Sequence, residues 1–246
     1  MITSTRNPRV QAARGLHRVR ERRTRGLHLV EGPRAVREAL AAGVVTELFV
    51  AESATMTVDH HVEVVADHVL DHLADATTPQ GIVAVARSVT AGLDEIGAGA
   101  LVVLDRIADP GNAGTILRTA DALGAAGVVL TAGSVDVFAP KTVRAAVGST
   151  YHLPIVTEVA LAEVAAASRA AGRLLAGLDA AGAEPLETLS GRSGAVCLVL
   201  GNEAHGLQPD ALAWLDTTVA IALHPRAESL NVAAAAAIAI HAATRS

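Results

Sequence analysis

Aromatic side chains are almost missing from this chain: two phenylalanines, one tyrosine and one tryptophan among 246 residues. So few rings argue against reading single strands by rows of stacked bases, and for recognition of a nucleic-acid partner by shape and phosphate. Cysteine is scarcer still. The single thiol, Cys197, lies in the apolar run "AVCLVL", which excludes a disulfide framework and points to a buried structural thiol in a reducing compartment, expected to be the cytoplasm. No uncharged apolar run reaches the ~18 residues of a membrane span. The longest candidate, Val232 to Ile240, is interrupted by His241, so no membrane partner is expected. Metal ligands in a usable pattern are lacking too. His68 and His72 share a helical face, but no glutamate stands between them and no third ligand is evident, so no metal is expected.

What is present is apolar bulk and a lopsided charge. At 51% apolar residues the chain can build two modest cores or one large one. Residues 1 to 25 hold eight arginines (Arg6, Arg9, Arg14, Arg18, Arg20, Arg22, Arg23, Arg25) against the single acid Glu21, giving +7, while the remainder carries −12. A basic block on an acidic body suits a nucleic-acid-binding arm, since each cation set near a phosphate releases a counterion. A solvated helix or an organelle transit peptide would share the composition.

Periodicity predicts one short basic helix over residues 8 to 23, with Val10, Ala13, Leu16 and Val19 on one face. Strands and helices then alternate: "GLHLVE", a helix Pro33 to Ala42, "VVTELFV", "VEVV", a helix Asp67 to Ala74, and "GIVAVA". Residues 1–87 are therefore read as a basic helix plus a small α/β domain, and 88–100, with Gly92, Gly97 and Gly99, as a linker. Residues 101–246 form a second α/β domain with strands at "LVVLD", "GVVLT", "LPIV", "RLLAGLD", "AVCLVLG" and "VAIAL", and a final helix Val232 to Thr244. The alternation predicts a parallel sheet with helices on both faces.

Three stretches of that domain carry polar residues where strands end. The first, "LDRIADPGNAGTILRTADALGAAG", is a strand, a loop and a helix whose loop lacks both G-x-G-x-x-G and G-K-[ST], so dinucleotide and phosphate-loop readings fail. In it Asn112 suits a helix N-cap and Arg118 stands three residues before Asp121. The second, "LVLGNEAHGL", runs from an apolar strand into Gly201 and Glu203, a carboxylate that needs a partner if buried. In the third, "AESLNV", Ser229 and Asn231 share a side of an extended segment.

In this order and near these separations, the three stretches resemble the signature motifs of the SpoU/TrmH family of RNA ribose 2′-O-methyltransferases, within the SPOUT superfamily. "ITSTRNPRV", "LVEGPRAVREAL" and "TPQGIVAV" likewise resemble that family's N-terminal substrate-binding domain, which implies that the basic N-terminus belongs to the mature protein. The resemblance implies a C-terminal α/β domain with a deep trefoil knot, a rare threading, behind a small RNA-binding domain. It implies S-adenosylmethionine in the knotted pocket, lined by Leu200, Gly201, Ile221 and Leu230. It also implies catalysis by Arg118 with Asn112, Glu203, Ser229 and Asn231 around it, and a homodimer. A guanidinium pKa above about 12 makes a neutral arginine expensive, so Arg118 is expected to stay charged, held by Glu203 or a phosphate, and to stabilise the forming alkoxide. Arg6, Arg9, Arg14, Arg18, Arg22 and Arg23 are the expected contacts to structured RNA. Ribosomal RNA is the favoured target and transfer RNA the alternative; a non-catalytic RNA-binding or assembly factor on the same fold is the competing reading. The sequence departs from relatives at Ala222, where proline is usual, at His224, Pro225 and Arg226, and at His205.

Overall fold

Asn7 accepts the N–H of Arg9 and Pro8 takes the first helical position, which starts α1 (Pro8–Gly15). In the computed structural model, which describes residues 1–55, 58–192 and 195–245, this helix does not continue to residue 23 as expected. The chain turns after Leu16, which is fully buried, and restarts as α2 (Val19–Arg25). The buried Arg22 explains the break. Its guanidinium donates to the carbonyls of Leu16 at 2.8 Å and His17 at 2.9 Å, satisfying groups that a straight helix would have bonded internally.

The remaining elements of the first half follow the alternation closely: β1 (Leu27–Glu31), α3 (Pro33–Ala41), β2 (Val45–Ala51), β3 (Glu63–Val65), α4 (Asp67–Leu73) and β4 (Ile82–Arg87). Their sheet has the order β1-β4-β2-β3, with β4 antiparallel to β1 and β2, and β3 parallel to β2. Side chains two apart share a face. Leu29, Phe49, Val83 and Val85 meet α1 and α4 on one side, while Val30, Leu48, Ile82 and Ala84 meet α3 on the other.

Compact unit 1 comprises Met1–Val89 and also Phe138–Tyr151, a segment that the sequence reading gives to the second domain. It contains α6 (Pro140–Ala146), whose Val143 is buried among Val30, Ala39 and Ala84. Tyr151 bonds the ring of His28 at 2.9 Å. These contacts are long-range, and local periodicity carries no sign of them.

Unit 2 comprises Thr90–Val137 and His152–Ser246. Its strands are β5 (Leu101–Leu104), β6 (Gly127–Thr131), β7 (Ile155–Val159), β8 (Leu174–Leu178), β9 (Glu184–Pro185), β10 (Val196–Leu200) and β11 (Thr217–Ala220). They pair in the order β7-β6-β5-β10-β8-β11-β9, and every ladder is parallel. Helices α7 (Leu161–Ala170) and α8 (Pro209–Leu212) cover one face, where Leu101, Val103, Cys197 and Val199 pack. Helices α5 (Pro110–Ala122) and α9 (Val232–Thr244) pack on each other, and α9 also lies against β10. Of the segment expected as a linker, residues 90–100 belong to this unit, where Leu93 and Ile96 pack on its core, and residues 88–89 belong to unit 1.

Two features of this sheet position the site. Strand order reverses between β5 and β10, the kind of switch point where open parallel sheets bind ligands. Leu200 is in register with Leu104 on one side and Leu178 on the other, so Asp105, Gly201 and Asp179 leave the sheet at one level.

Candidate functional site

The loop after β5 is set by a left-handed turn. Arg106 has φ 57°, sparsely populated for a residue with a side chain. Its N–H bonds the hydroxyl of Thr131 at 3.2 Å and its carbonyl accepts the side-chain amide of Asn202 at 2.8 Å. The chain then enters α5 three residues earlier than expected. Asp109, not Asn112, is the N-cap, accepting the Asn112 N–H at 2.8 Å, with Pro110 next. The Asp109-Pro110 pair is a start signal legible in the sequence, stronger than Asn112 alone.

This shift frees the Asn112 side chain to join the three motif loops. Its amide donates to Glu203 Oε1 at 3.0 Å, and its carbonyl oxygen accepts the Asn231 amide at 3.2 Å. Asn231 Oδ1 in turn caps α9, accepting the N–H groups of Ala233 at 2.9 Å and Ala234 at 3.4 Å. Neither asparagine could be replaced by a carboxylate here, because each side chain donates and accepts at once.

Glu203 is the anchor of that chain. It accepts the N–H of Ala108 and of Asp109, each at 3.0 Å, besides the Asn112 amide. Burial would raise its pKa, but these bonds from Ala108, Asn112 and Asp109 outweigh it and hold the carboxyl below its ordinary value. The site at the start of α5 also favours an anion through the helix dipole.

Arg118 is not held by Glu203, which corrects one expectation. The carboxylate oxygens are directed at amides before α5, whereas Arg118 lies just over two turns into the helix on an exposed stripe with Thr115. Nor does Asp121 bind it, since that carboxylate meets His152 Nδ1 at 2.8 Å. Arg118 is thus presented outward with its charge available.

Beside the network lies a pocket of about 150 Å³ at the ends of β8 and β10. Leu200, Gly201, Ile221 and Leu230, from separate parts of the sequence, all line it, with Asp179 and Ser229 among the polar groups. Gly201 is required by close packing: a Cβ there would lie 2.4 Å from the carbonyl carbon of Gly206. The Asn202–Gly206 turn folds back on the strand end through paired backbone bonds of 3.1 and 2.8 Å. Aliphatic walls with a carboxylate and a hydroxyl suit a nucleoside with a polar tail. The volume suits the base, so the rest of such a ligand would extend beyond it. Ser229 faces this pocket and is not a link in the chain from Glu203 to Asn231. The departing residues His224, Pro225 and Arg226 form an exposed turn, and Ala222 is also exposed.

In unit 1 the six expected RNA-binding arginines divide. Arg22 is buried and used by the fold. Arg9 lies 2.6 Å from Glu63 and 3.0 Å from Glu47, and those bonds, Glu63 foremost, raise its pKa. Arg14 is half-buried near His17 at 3.5 Å. Arg6, Arg18 and Arg23 are exposed. Among the described residues no group of three or more histidines, cysteines and acids is arranged to hold a metal ion, and no helix is long and apolar enough to cross a membrane.

Asn202, Asp179, Leu178 and Leu223, together with the Ala108 and Asp109 amides, were missed from sequence. Asp179 had a signal, a carboxylate directly after the end of β8 much as Glu203 stands three residues after the end of β10; the backbone groups had none.

Residues 99–241 match the SpoU rRNA Methylase family, and residues 7–84 match an MRM3-like substrate binding domain. The chain is 33% identical over 245 residues to the 23S rRNA (guanosine(2553)-2′-O)-methyltransferase RlmP of Bacillus subtilis, covering 98% of this chain and 97% of that one. The crystal structure of the SpoU methyltransferase AviRb from Streptomyces viridochromogenes in complex with AdoMet superposes with a TM-score of 0.87 at 32% identity, covering 97% of each chain. An AdoMet-bound rRNA methyltransferase from Sinorhizobium meliloti gives 0.87 at 30% identity, over 98% of this chain and 96% of the other.

Proposed function

Because this chain belongs to the SpoU rRNA methylase family, we propose that it methylates a ribose 2′-hydroxyl of ribosomal RNA with S-adenosylmethionine as donor. The observation that carries this reading is the joining of three distant loops, through Glu203, Asn112 and Asn231, beside a pocket lined by Leu200, Gly201, Ile221 and Leu230. When bound, the donor supplies an electrophilic methyl group on a sulfonium.

The chain's own residues have then to hold the ribose and favour its ionised hydroxyl. Arg118, charged and outward-facing, stabilises the developing alkoxide, and a phosphate of the RNA is the counter-charge left to it once Glu203 and Asp121 are committed elsewhere. Glu203 acts through Asn112 and the loop amides, fixing the start of α5 and so the height at which Arg118 stands. Asn231 fixes the start of α9 against the same asparagine, and Ser229 offers a hydroxyl to the pocket. We read the enzyme as a cytoplasmic homodimer in which the exposed arginines Arg6, Arg18 and Arg23 meet RNA phosphates.

The test is transfer of labelled methyl from S-adenosylmethionine to total RNA lacking its own modifications, with products mapped by ribose-methylation profiling. One 2′-O-methyl site in ribosomal RNA, lost in Arg118→Ala, is the expected result. A site in transfer RNA would redirect the target. No transfer to any RNA, with cofactor binding intact by calorimetry, would sink the enzyme reading in favour of a binding or assembly factor.

A further inference from the structure

Asp105 is a buried carboxylate that the steps above leave unused. It follows β5, is 2% exposed, and its Oδ1 accepts the Thr131 hydroxyl at 2.8 Å. Its Oδ2 has no hydrogen-bond partner among the described residues. Such an oxygen is costly to keep, since a buried charge is ordinarily paired or hydrogen-bonded throughout.

Asp105 also lines a second pocket, of about 250 Å³, at the carboxyl ends of β5, β6 and β7. The first pocket lies at the ends of β8 and β10, and the two have no lining residue in common. Trp214, the single tryptophan of the chain, lines the second pocket and is 42% exposed. A partly exposed aromatic residue and a buried aspartate therefore line the same pocket. Arg106 and Asp210 belong to the same pocket and pair with each other, leaving Asp105 as its unbalanced charge. The left-handed Arg106 serves two places at once. Its side chain belongs to this pocket, while its carbonyl holds Asn202, the neighbour of Glu203.

We propose that this second pocket receives an unpaired guanine of the RNA substrate, bonded by Asp105 and stacked on Trp214. The proposal rests on the RNA methyltransferase reading for the source of the base. A carboxylate accepts only, so it selects a base edge made of donors. Guanine alone presents two adjacent donors, N1–H and the N2 amino group. Adenine and cytosine set a ring acceptor beside their amino groups, and uracil flanks its N–H with two carbonyl oxygens, so each brings a lone pair toward the carboxylate. Stacking of an extruded base on an aromatic side chain supplies the remaining affinity. Through Arg106, a seated guanine would also steady the loop that carries Glu203.

Because Trp214 is the only tryptophan, intrinsic fluorescence of the full chain reads this pocket directly. Titration with guanosine monophosphate is expected to quench it saturably, with the adenosine, cytidine and uridine monophosphates at least ten-fold weaker. Asp105→Asn keeps an acceptor for Thr131 and removes the buried charge, so it should unfold at no lower temperature while losing the preference for guanine. Trp214→Leu, followed by calorimetry, should weaken guanosine monophosphate at least five-fold. The proposal is overturned by a response absent or equal for all four nucleotides, or unchanged in Asp105→Asn. Saturation by spermidine alone would also overturn it and mark an amine site. Methyl transfer to RNA, assayed in parallel, separates the two readings. Guanine binding without transfer leaves the pocket standing and removes the methyltransferase reading; transfer without a guanine response removes the pocket alone.

Discussion

The two units use charge in opposite ways. Unit 1 holds the basic block, yet its fold absorbs part of that charge: Arg22 ties α1 to α2, and Arg9 bridges Glu47 and Glu63. Unit 2 is the acidic part of the chain, yet its network surrounds one carboxylate with neutral amides and leaves Arg118 unopposed. What a charge can do depends on whether its own fold already partners it. Counting arginines overstates the cationic surface of unit 1, and the negative sum conceals the useful cation of unit 2.

The largest effect should come from that one cation. Arg118→Ala is expected to lower methyl transfer by roughly 10²- to 10³-fold, the usual loss when one group stabilising a developing oxyanion is removed. Cofactor affinity by calorimetry should hold, since Arg118 does not line the pocket at Gly201. A loss of only a few-fold would remove the contrast at its source. A pH-rate profile of Arg118→Lys sharpens it: a rate that falls as pH rises through the ionisation of the lysine would show that the charged form acts, and a rate that rises there would show that the neutral form does.

Arg22→Ala is next. It removes two bonds from a buried guanidinium to the Leu16 and His17 carbonyls and should destabilise the protein by about 1–3 kcal/mol in denaturant unfolding. RNA affinity at low temperature, where the variant is folded, should barely move. A large drop in affinity with unchanged stability would return Arg22 to the binding surface.

Glu203→Gln tests the amide-ringed carboxylate by pH. The folded pKa is depressed from its ordinary 4.5, so its stabilisation is fully present above that value and fades as pH falls through the folded pKa. The variant does not titrate there. It should be less stable than the parent by about 1 kcal/mol at neutral pH, the low end because the residue is exposed, and equal to it in strong acid. A stability gap that stays constant with pH would mean the charge contributes nothing.

Legibility in the sequence followed range. Runs such as "GVVLT" predict their strand to the residue, and Val232–Thr244 was visible because Asn231 precedes an unbroken helix-forming stretch. The direction of β4 was not visible, since alternation in sequence is silent about pairing. Nor was the crossing of residues 138–151 into unit 1, which depends on contacts such as Val143 with Val30. At the site, Asn112, Glu203 and Asn231 were named from motif position, but the partner of each was not. The expected pairing of Arg118 with Glu203 is not found, because Glu203 accepts the Ala108 and Asp109 amides ahead of α5, backbone donors that no residue type in the sequence marks.

The smallest effect separates the arginines of unit 1 from one another. Arg18 is exposed, whereas Arg9 is shared between two glutamates. If exposed arginines meet phosphates, Arg18→Ala should weaken RNA binding evenly across sequences and flatten the slope of log affinity against log salt by about 1. Arg9→Ala should leave that slope nearly unchanged, because a guanidinium already neutralised by carboxylates releases no counterion on binding. It should lower stability by no more than about 1 kcal/mol, the range of partly exposed ion pairs. Filter binding across a salt series, run beside thermal unfolding, measures both quantities on the same preparations. Equal slopes for the two variants would mean that RNA draws Arg9 away from Glu47 and Glu63, and that the basic block acts as a whole after all.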